Sequence, residues 1–243
     1  MRQLRPAGLL VVVSLLLAAA VAAAQPRQAL ARASAAYYAA LVASAHGSID
    51  ATNRQLLLLA SRWDAALREA RALTPPALAK DPSWTAALER AATLLAKARD
   101  RARVRDIAGA HGDLEEMRLI LHEVRERHGL WAFDDHLAEY HEAVERVTGH
   151  ISGPSEINFG PRDYADIDED LRAAQASWAA IGKGAGALRH DPAWEEAARA
   201  TAAALQQVSR ALAAKDRDGL AKSAELLHDT YFDLLSAIVK ARS

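Results

Sequence analysis

Apolar side chains recur along this chain with the spacing of one face of an α-helix. One stripe has members three or four residues apart, namely Trp84, Leu88, Ala91, Leu95 and Ala98. A second stripe keeps the same offsets, namely Trp194, Ala198, Thr201, Leu205 and Val208. Because residues three and four apart share a helix face, each stripe predicts a helix that buries one side against its neighbours.

The same periodicity predicts four helices in each half of the chain. In the first half they cover about residues 28–45, 49–73, 82–103 and 105–128. In the second half they cover about residues 132–148, 165–186, 191–214 and 217–241. Most of the connections are short, which is typical of antiparallel neighbours in up-and-down bundles. We therefore expect an all-α fold.

One connection, residues 148–163, is longer than a simple turn between helices requires. It contains Gly153-Pro154 and Gly160-Pro161, two dipeptides that interrupt helices. Asp166 and Glu169 have the spacing of a capping box, so we expect the next helix to begin there. The connection is then either a functional loop or an inert insertion.

Two segments of the chain nearly repeat one another. Residues 77–84 read ALAKDPSW, and residues 187–194 read ALRHDPAW. Each has the order of a helix start, with Asp as the N-cap, Pro in the first turn and Trp opening the buried stripe. A further tryptophan precedes each segment, Trp63 in the first half and Trp178 in the second. We infer a duplication of about 110 residues. It predicts tandem four-helix bundles over residues 28–129 and 130–243.

The N-terminal segment has the parts of a secretory signal peptide. Arg2 and Arg5 precede an apolar run that ends in Ala22-Ala23-Ala24, the small residues of a cleavage site. We expect residues 1–24 to be removed and the mature protein to be periplasmic or secreted, with no membrane association beyond this segment. The alternative is an uncleaved anchor, since the apolar run is just long enough to span a bilayer.

Composition excludes several classes of function. The chain has no cysteine, so an exported form must be stabilised by packing and not by disulfides. The formal net charge of −1 gives no electrostatic case for binding nucleic acid. The sequence contains no nucleophile elbow, glycine-rich phosphate loop or HExxH motif. We therefore expect a binding protein and not an enzyme.

Six of the nine histidines cluster in the middle of the chain. His111 with Glu115, and His141 with Glu145, are each four residues apart, which places each pair on one helix face. If the helices on either side of Leu130 form an antiparallel hairpin, the two pairs face each other. Imidazole and carboxylate groups inside a helical bundle are typical ligands of a transition metal.

These pairs predict a metal site that would suit zinc, copper or iron. The predicted ligands are His111, Glu115, His141 and Glu145. The residues predicted to support them are His122, Arg118 and Tyr140. The alternative is structural, because a buried histidine with a glutamate one turn away is often only a hydrogen-bonded pair. In that case Arg118 would neutralise Glu115 and repel a cation.

The last helix carries a motif that resembles a known family. Residues 226–235 read LLHDTYFDLL, with His228 and Tyr231 spaced as His-x-x-Tyr. This is similar to the last helix of the cytochrome b562 and cytochrome c′ group of exported four-helix bundles, in which a histidine binds haem iron. The resemblance implies a four-helix bundle for the second half and a haem ligand at His228. The chain has no cysteine to attach haem and only Met117 after Met1, so we expect a metal ion in preference to haem.

Together these patterns predict an exported helical-bundle protein whose main role is to bind a metal ion. Two alternatives stay open. One is a b-type haem electron carrier that uses His228. The other is a cofactor-free scaffold whose partner is another protein of the cell envelope.

Overall fold

The computed structural model describes residues 33–73, 76–152 and 160–242, and all regular structure in these ranges is helical. The predicted all-α class is confirmed. The predicted signal peptide lies outside the described residues, as does the middle of the predicted loop, residues 153–159. Among the helices in the described ranges, none is both long enough and apolar enough to span a membrane.

The helices follow the predicted segments closely. In the first half they are α1, described over residues 33–45, then α2 (Ile49–Leu73), α3 (Pro76–Ala79), α4 (Pro82–Arg103) and α5 (Ile107–Arg127). In the second half they are α6 (Phe133–Ser152), α7 (Pro161–Gly184), α8 (Pro192–Ala214) and α9 (Arg217–Arg242), with a 3₁₀ turn at Gly186–His190 before α8.

The described chain divides between Leu130 and Trp131 into two compact units. The first unit consists of residues 33–40 and 47–130, and in it α4 packs against both α2 and α5. The second unit consists of residues 131–242 with residues 41–46 of α1. In the second unit α6 packs against α7 and α9, and α8 packs against α9. These contacts make the second unit a four-helix bundle.

The two predicted apolar stripes form the cores of α4 and α8. All five members of the first stripe are buried, from Trp84 to Ala98. In the second stripe Trp194, Leu205 and two further members are buried, but Ala198 is only partly so. Each buried leucine or valine contributes about 1.5–3 kcal/mol relative to leaving it exposed. Ala198 lines a cavity in the surface of the second unit.

The starts of α4 and α8, which the predicted duplication makes equivalent, have the same capping structure. Asp81 caps α4 by accepting a hydrogen bond from the backbone N–H of Ser83 at 2.8 Å. Asp191 caps α8 in the same way, accepting from the N–H of Ala193 at 2.9 Å. Proline occupies the first turn of both helices, where its missing N–H removes no helical hydrogen bond.

The turns that follow α4 and α8 also repeat. Each contains a residue with a left-handed backbone, Arg105 with φ 66° and Lys215 with φ 54°. The next residue in each turn is an aspartate that caps the following helix, Asp106 in the first unit and Asp216 in the second. Equivalent positions are separated by about 110 residues, the predicted length of the repeat.

The predicted start of α7 at Asp166 is wrong. The helix begins at Pro161, and the side chain of Asp163 accepts a hydrogen bond from the backbone N–H of Gly160 at 2.6 Å. Proline is favoured in the first turn of a helix, so Gly160-Pro161 starts this helix and does not interrupt one. Asp166 lies inside the helix and forms an ion pair with Arg162 at 3.8 Å.

Candidate metal centre

His141 lies at the centre of a cluster of rings in the second unit. Its side chain, on α6, is 0% exposed. Tyr231 of α9 stacks on the imidazole, with ring centroids 4.0 Å apart and planes 15° apart. Phe232, also on α9, stands edge-on to the same imidazole at 6.1 Å. These contacts fix the plane of the His141 ring.

Glu145 approaches His141 from the next turn of α6. Its Oε1 atom lies 3.6 Å from Nε2 of His141, as the spacing of four residues favours. The Glu145 side chain is 51% exposed, in contrast to the buried imidazole. The pair therefore extends from the core of the bundle to its surface.

His228 of α9 completes a group of three. Its ring centroid lies 6.0 Å from that of His141. The His228 and Phe232 rings are edge to face, with centroids 5.2 Å apart. One potential ligand atom from each of His141, Glu145 and His228 falls within 4.8 Å of the others. In the part of the chain that the structure describes, this is the group of histidine and acidic side chains that converges so closely.

The spacing of these atoms can be compared with that of a metal site. Two ligand atoms bound about 2.1 Å from one zinc ion at a tetrahedral angle lie about 3.4 Å apart. The 3.6 Å between His141 and Glu145 is close to this value. The whole group spans up to 4.8 Å, so a ligand must move inward by about 1 Å to close a site. Glu145 is half-exposed and His228 is only partly buried, so both have room to move.

The other predicted pair lies in the first unit and has different neighbours. Nε2 of His111 is 4.0 Å from Oε1 of Glu115. Arg118, which is buried, donates a hydrogen bond from Nε to the other carboxylate oxygen of Glu115 at 2.7 Å. The carboxylate is thus charge-compensated by a guanidinium. The four-residue site that would join this pair to His141 and Glu145 crosses the division between the units and stays a prediction.

The residues predicted to support the ligands are also divided between the units. Arg118 and His122 lie on α5 in the first unit. Tyr140 lies on α6, fully buried, with its ring 6.5 Å from Tyr231 and 5.8 Å from Trp178. Burial raises the pKa of the Tyr140 hydroxyl, so it stays protonated. Tyr140 therefore contacts the ring that stacks on His141.

Sequence reasoning assigned His228 to the haem alternative and did not pair it with His141. The pairing depends on which helix packs against α6, which no local pattern states. A usable signal was nevertheless present in the repeat. The position equivalent to His228 in the first half is Arg118, so the second half carries an imidazole where the first half carries a guanidinium. Such a change in a duplicated helix marks a place where the two halves have diverged chemically.

No protein-family model matches this sequence, and no curated protein or solved structure is significantly similar to it.

Proposed function

We propose that the second unit binds a divalent transition-metal ion through His141, Glu145 and His228. The observation that carries this proposal is the convergence of three potential ligand atoms within 4.8 Å. Two imidazoles and one carboxylate form a ligand set found at zinc, copper and iron sites. A location outside the cytoplasm, predicted from residues 1–24, is part of the proposal.

The arrangement supports binding because most of it is held in place before a metal arrives. His141 and Glu145 share one face of α6, and Tyr231 stacks on the imidazole. Only the more exposed groups, Glu145 and His228, need to adjust. Three protein ligands leave a coordination position for water or another molecule, which is typical of sites that exchange or react with external ligands.

The first unit provides a contrast within the same chain. At the position equivalent to His228 it carries Arg118, which pairs with Glu115 at 2.7 Å. A guanidinium cannot be deprotonated in a protein and cannot bind a metal ion. The first unit therefore compensates Glu115 with a positive charge from Arg118, whereas the second unit carries an imidazole, a possible metal ligand, at the position of that cation.

The proposal is tested by titrating metal-free full-length protein with zinc against a chromogenic chelator. We expect one site per chain in the wild type. His228→Gln should lower the zinc affinity by at least about tenfold, because removing even a residue that only supports a ligand costs this much. Glu145→Gln should also lower the zinc affinity. His228→Arg, which copies the first repeat, should abolish binding while circular dichroism shows the same helix content.

His111→Gln is the matched control, because His111 also has a glutamate four residues later but lies in the first unit. If His141, Glu145 and His228 form the site, this variant binds zinc as the wild type does. If the four residues predicted from the sequence form the site, His111→Gln loses zinc and His228→Gln keeps it. Wild-type affinity in both His228 variants would overturn the proposal. A Soret band after haem addition that is lost in the His228 variants would favour the haem alternative instead.

A further inference from the structure

A cavity of about 400 Å³ opens on the surface of the second unit, where the end of α7 meets the start of α8. It lies apart from His141, Glu145 and His228, none of which lines it. The lining residues are Trp178, Gly182, Ala185, Arg189, Trp194, Glu195, Ala198 and Arg199. The volume is within the range of sites that hold small organic molecules.

Two tryptophans line this cavity, and each packs against another ring. Trp178 of α7 is partly exposed and packs against Tyr140, with ring centroids 5.8 Å apart. Trp194 of α8 is buried and packs against Phe133, with ring centroids 6.0 Å apart. A large, partly exposed ring that is fixed in this way provides a surface on which another ring can stack at little cost in side-chain entropy.

Three of the other lining residues are small, namely Gly182, Ala185 and Ala198. A Cβ atom added at Gly182 would meet no other atom within 4 Å, so the space beside this backbone is empty. Ala198 is the one member of its apolar stripe that is only partly buried, because it faces this cavity.

The rim of the cavity carries two cations and one anion. Arg189 lies across the end of α7, with Nη2 donating to the carbonyl oxygen of Gly182 at 3.3 Å. Arg199 and Glu195 are exposed, and within the described ranges neither makes an ion pair or a side-chain hydrogen bond. A guanidinium has five N–H donors and binds carboxylates in a bidentate manner, so Arg199 is free to receive one.

The first half differs from the second at three of these positions. The residue equivalent to Ala198 is Leu88, which is larger and buried. The residue equivalent to Arg199 is Glu89, and the residue equivalent to Arg189 is Ala79. The second half therefore has a smaller side chain at position 198 and more positive charge at positions 189 and 199 than its own repeat. The chain itself thus supplies the substitutions that would remove the site.

We propose that this cavity binds a small aromatic carboxylic acid. Its rings would stack on Trp178, which is partly exposed, and its carboxylate would pair with Arg199. About 400 Å³ accommodates one or two fused rings. The apolar walls favour the rings, and the unpaired guanidinium favours the acid over a neutral or basic analogue.

The test uses 1-naphthoate as the probe, titrated by isothermal titration calorimetry into the full chain, with chelator present so that the metal site does not contribute. We expect 1-naphthoate to bind at least about threefold more tightly than neutral 1-naphthalenemethanol, as one exposed ion pair allows. Ala198→Leu should lower the affinity for both probes by at least about tenfold, because the leucine occupies the cavity. Arg199→Glu should lower the affinity for 1-naphthoate but not for the alcohol. Glu195→Gln should raise the affinity for 1-naphthoate.

Ala200→Leu is the matched control, since Ala200 is exposed on α8 and does not line the cavity. It should bind the probe as the wild type does. The idea is overturned if 1-naphthoate binds Ala198→Leu and the wild type equally, or if millimolar probe gives no binding. If Ala198→Leu does not fold, Arg199→Glu provides the test. The proposal is overturned if Arg199→Glu prefers 1-naphthoate over 1-naphthalenemethanol as strongly as the wild type does, because the guanidinium then does not bind the carboxylate. His228→Arg should still bind the probe, which separates this site from the metal site.

Discussion

At the scale of single residues, the environment of His141 comes from distant parts of the sequence. Its own helix contributes Glu145, but the ring that stacks on it and the second imidazole belong to α9. That His141 faces an apolar core can be read from local periodicity, because Leu137 and Val144 lie on the same face of its helix and are buried with it. The sequence could not predict Tyr231 or His228 as neighbours, because that requires knowing that α6 packs against α9.

Asp106 provides a prediction about pH. Hydrogen bonds from the Arg101 guanidinium, at 2.6 Å, and from the backbone N–H of Gly109 hold the pKa of this carboxyl below its usual value of 3.8. A carboxyl whose pKa is lower in the folded state stabilises the fold above the unfolded pKa, and this stabilisation is lost as the pH falls through the folded pKa. Asp106→Asn should therefore lower the melting temperature at pH 6, with the difference from wild type shrinking toward pH 3.

Thermal melts followed by circular dichroism at pH 6, 4 and 3 measure this effect. Asp216→Asn is the control, because Asp216 caps α9 in the same way but has no arginine partner among the described residues. This control separates the loss of a helix cap, which both variants share, from the loss of the ion pair. If the difference in melting temperature between Asp106→Asn and wild type is constant from pH 6 to pH 3, the ion pair contributes nothing to the stability of the fold.

At the scale of elements, the helix interiors were predictable and some of the ends were not. The stripes beginning at Trp84 and Trp194 have a clear period, so α4 and α8 appear at their predicted positions. The start of α7 was placed at Asp166 because Gly160-Pro161 was interpreted as a break. A Gly-Pro dipeptide fits both the end of one helix and the first turn of the next, and the local sequence does not distinguish them.

The turn between α8 and α9 provides a prediction about stability. Lys215 has φ 54°, a left-handed backbone conformation that is strained for any residue other than glycine. Its N–H still caps α8 by donating to the carbonyl of Leu212 at 3.0 Å. Lys215→Gly should keep this bond, relieve the strain and raise the free energy of unfolding by about 0.5–1 kcal/mol.

Urea denaturation followed by circular dichroism measures this change. Arg105→Gly in the equivalent turn of the first unit should have an effect of the same sign, since Arg105 has φ 66°. Lys222→Gly, at an exposed position inside α9, should instead destabilise by about 1 kcal/mol. A loss of stability in both turn variants would mean that the turn conformation carries no strain.

At the scale of the whole molecule, the two halves that the sequence predicts to be a duplication share local structure but differ in chemistry. The caps and turns repeat between the two units, which shows that the positions are equivalent. At two places the second unit differs in a way that suits a ligand, namely His228 in place of Arg118 and Ala198 in place of Leu88. The repeat was predictable from the sequence, because residues 77–84 and 187–194 nearly match. The sequence alone does not predict which differences between the halves create a binding site, because that depends on the helices that pack around each position.

X-ray absorption spectroscopy of the full chain loaded with one equivalent of zinc reports directly on the atoms that bind the ion. If His141, Glu145 and His228 bind zinc, the spectrum should show nitrogen and oxygen ligands about 2.0 Å from the ion and outer-shell scattering from two imidazoles per zinc. The same spectrum should appear for His111→Gln, and His228→Arg should retain no zinc after desalting. Zinc that is lost from the wild type on desalting, or an imidazole signal that His228→Arg leaves unchanged, would contradict a metal centre at His141, Glu145 and His228.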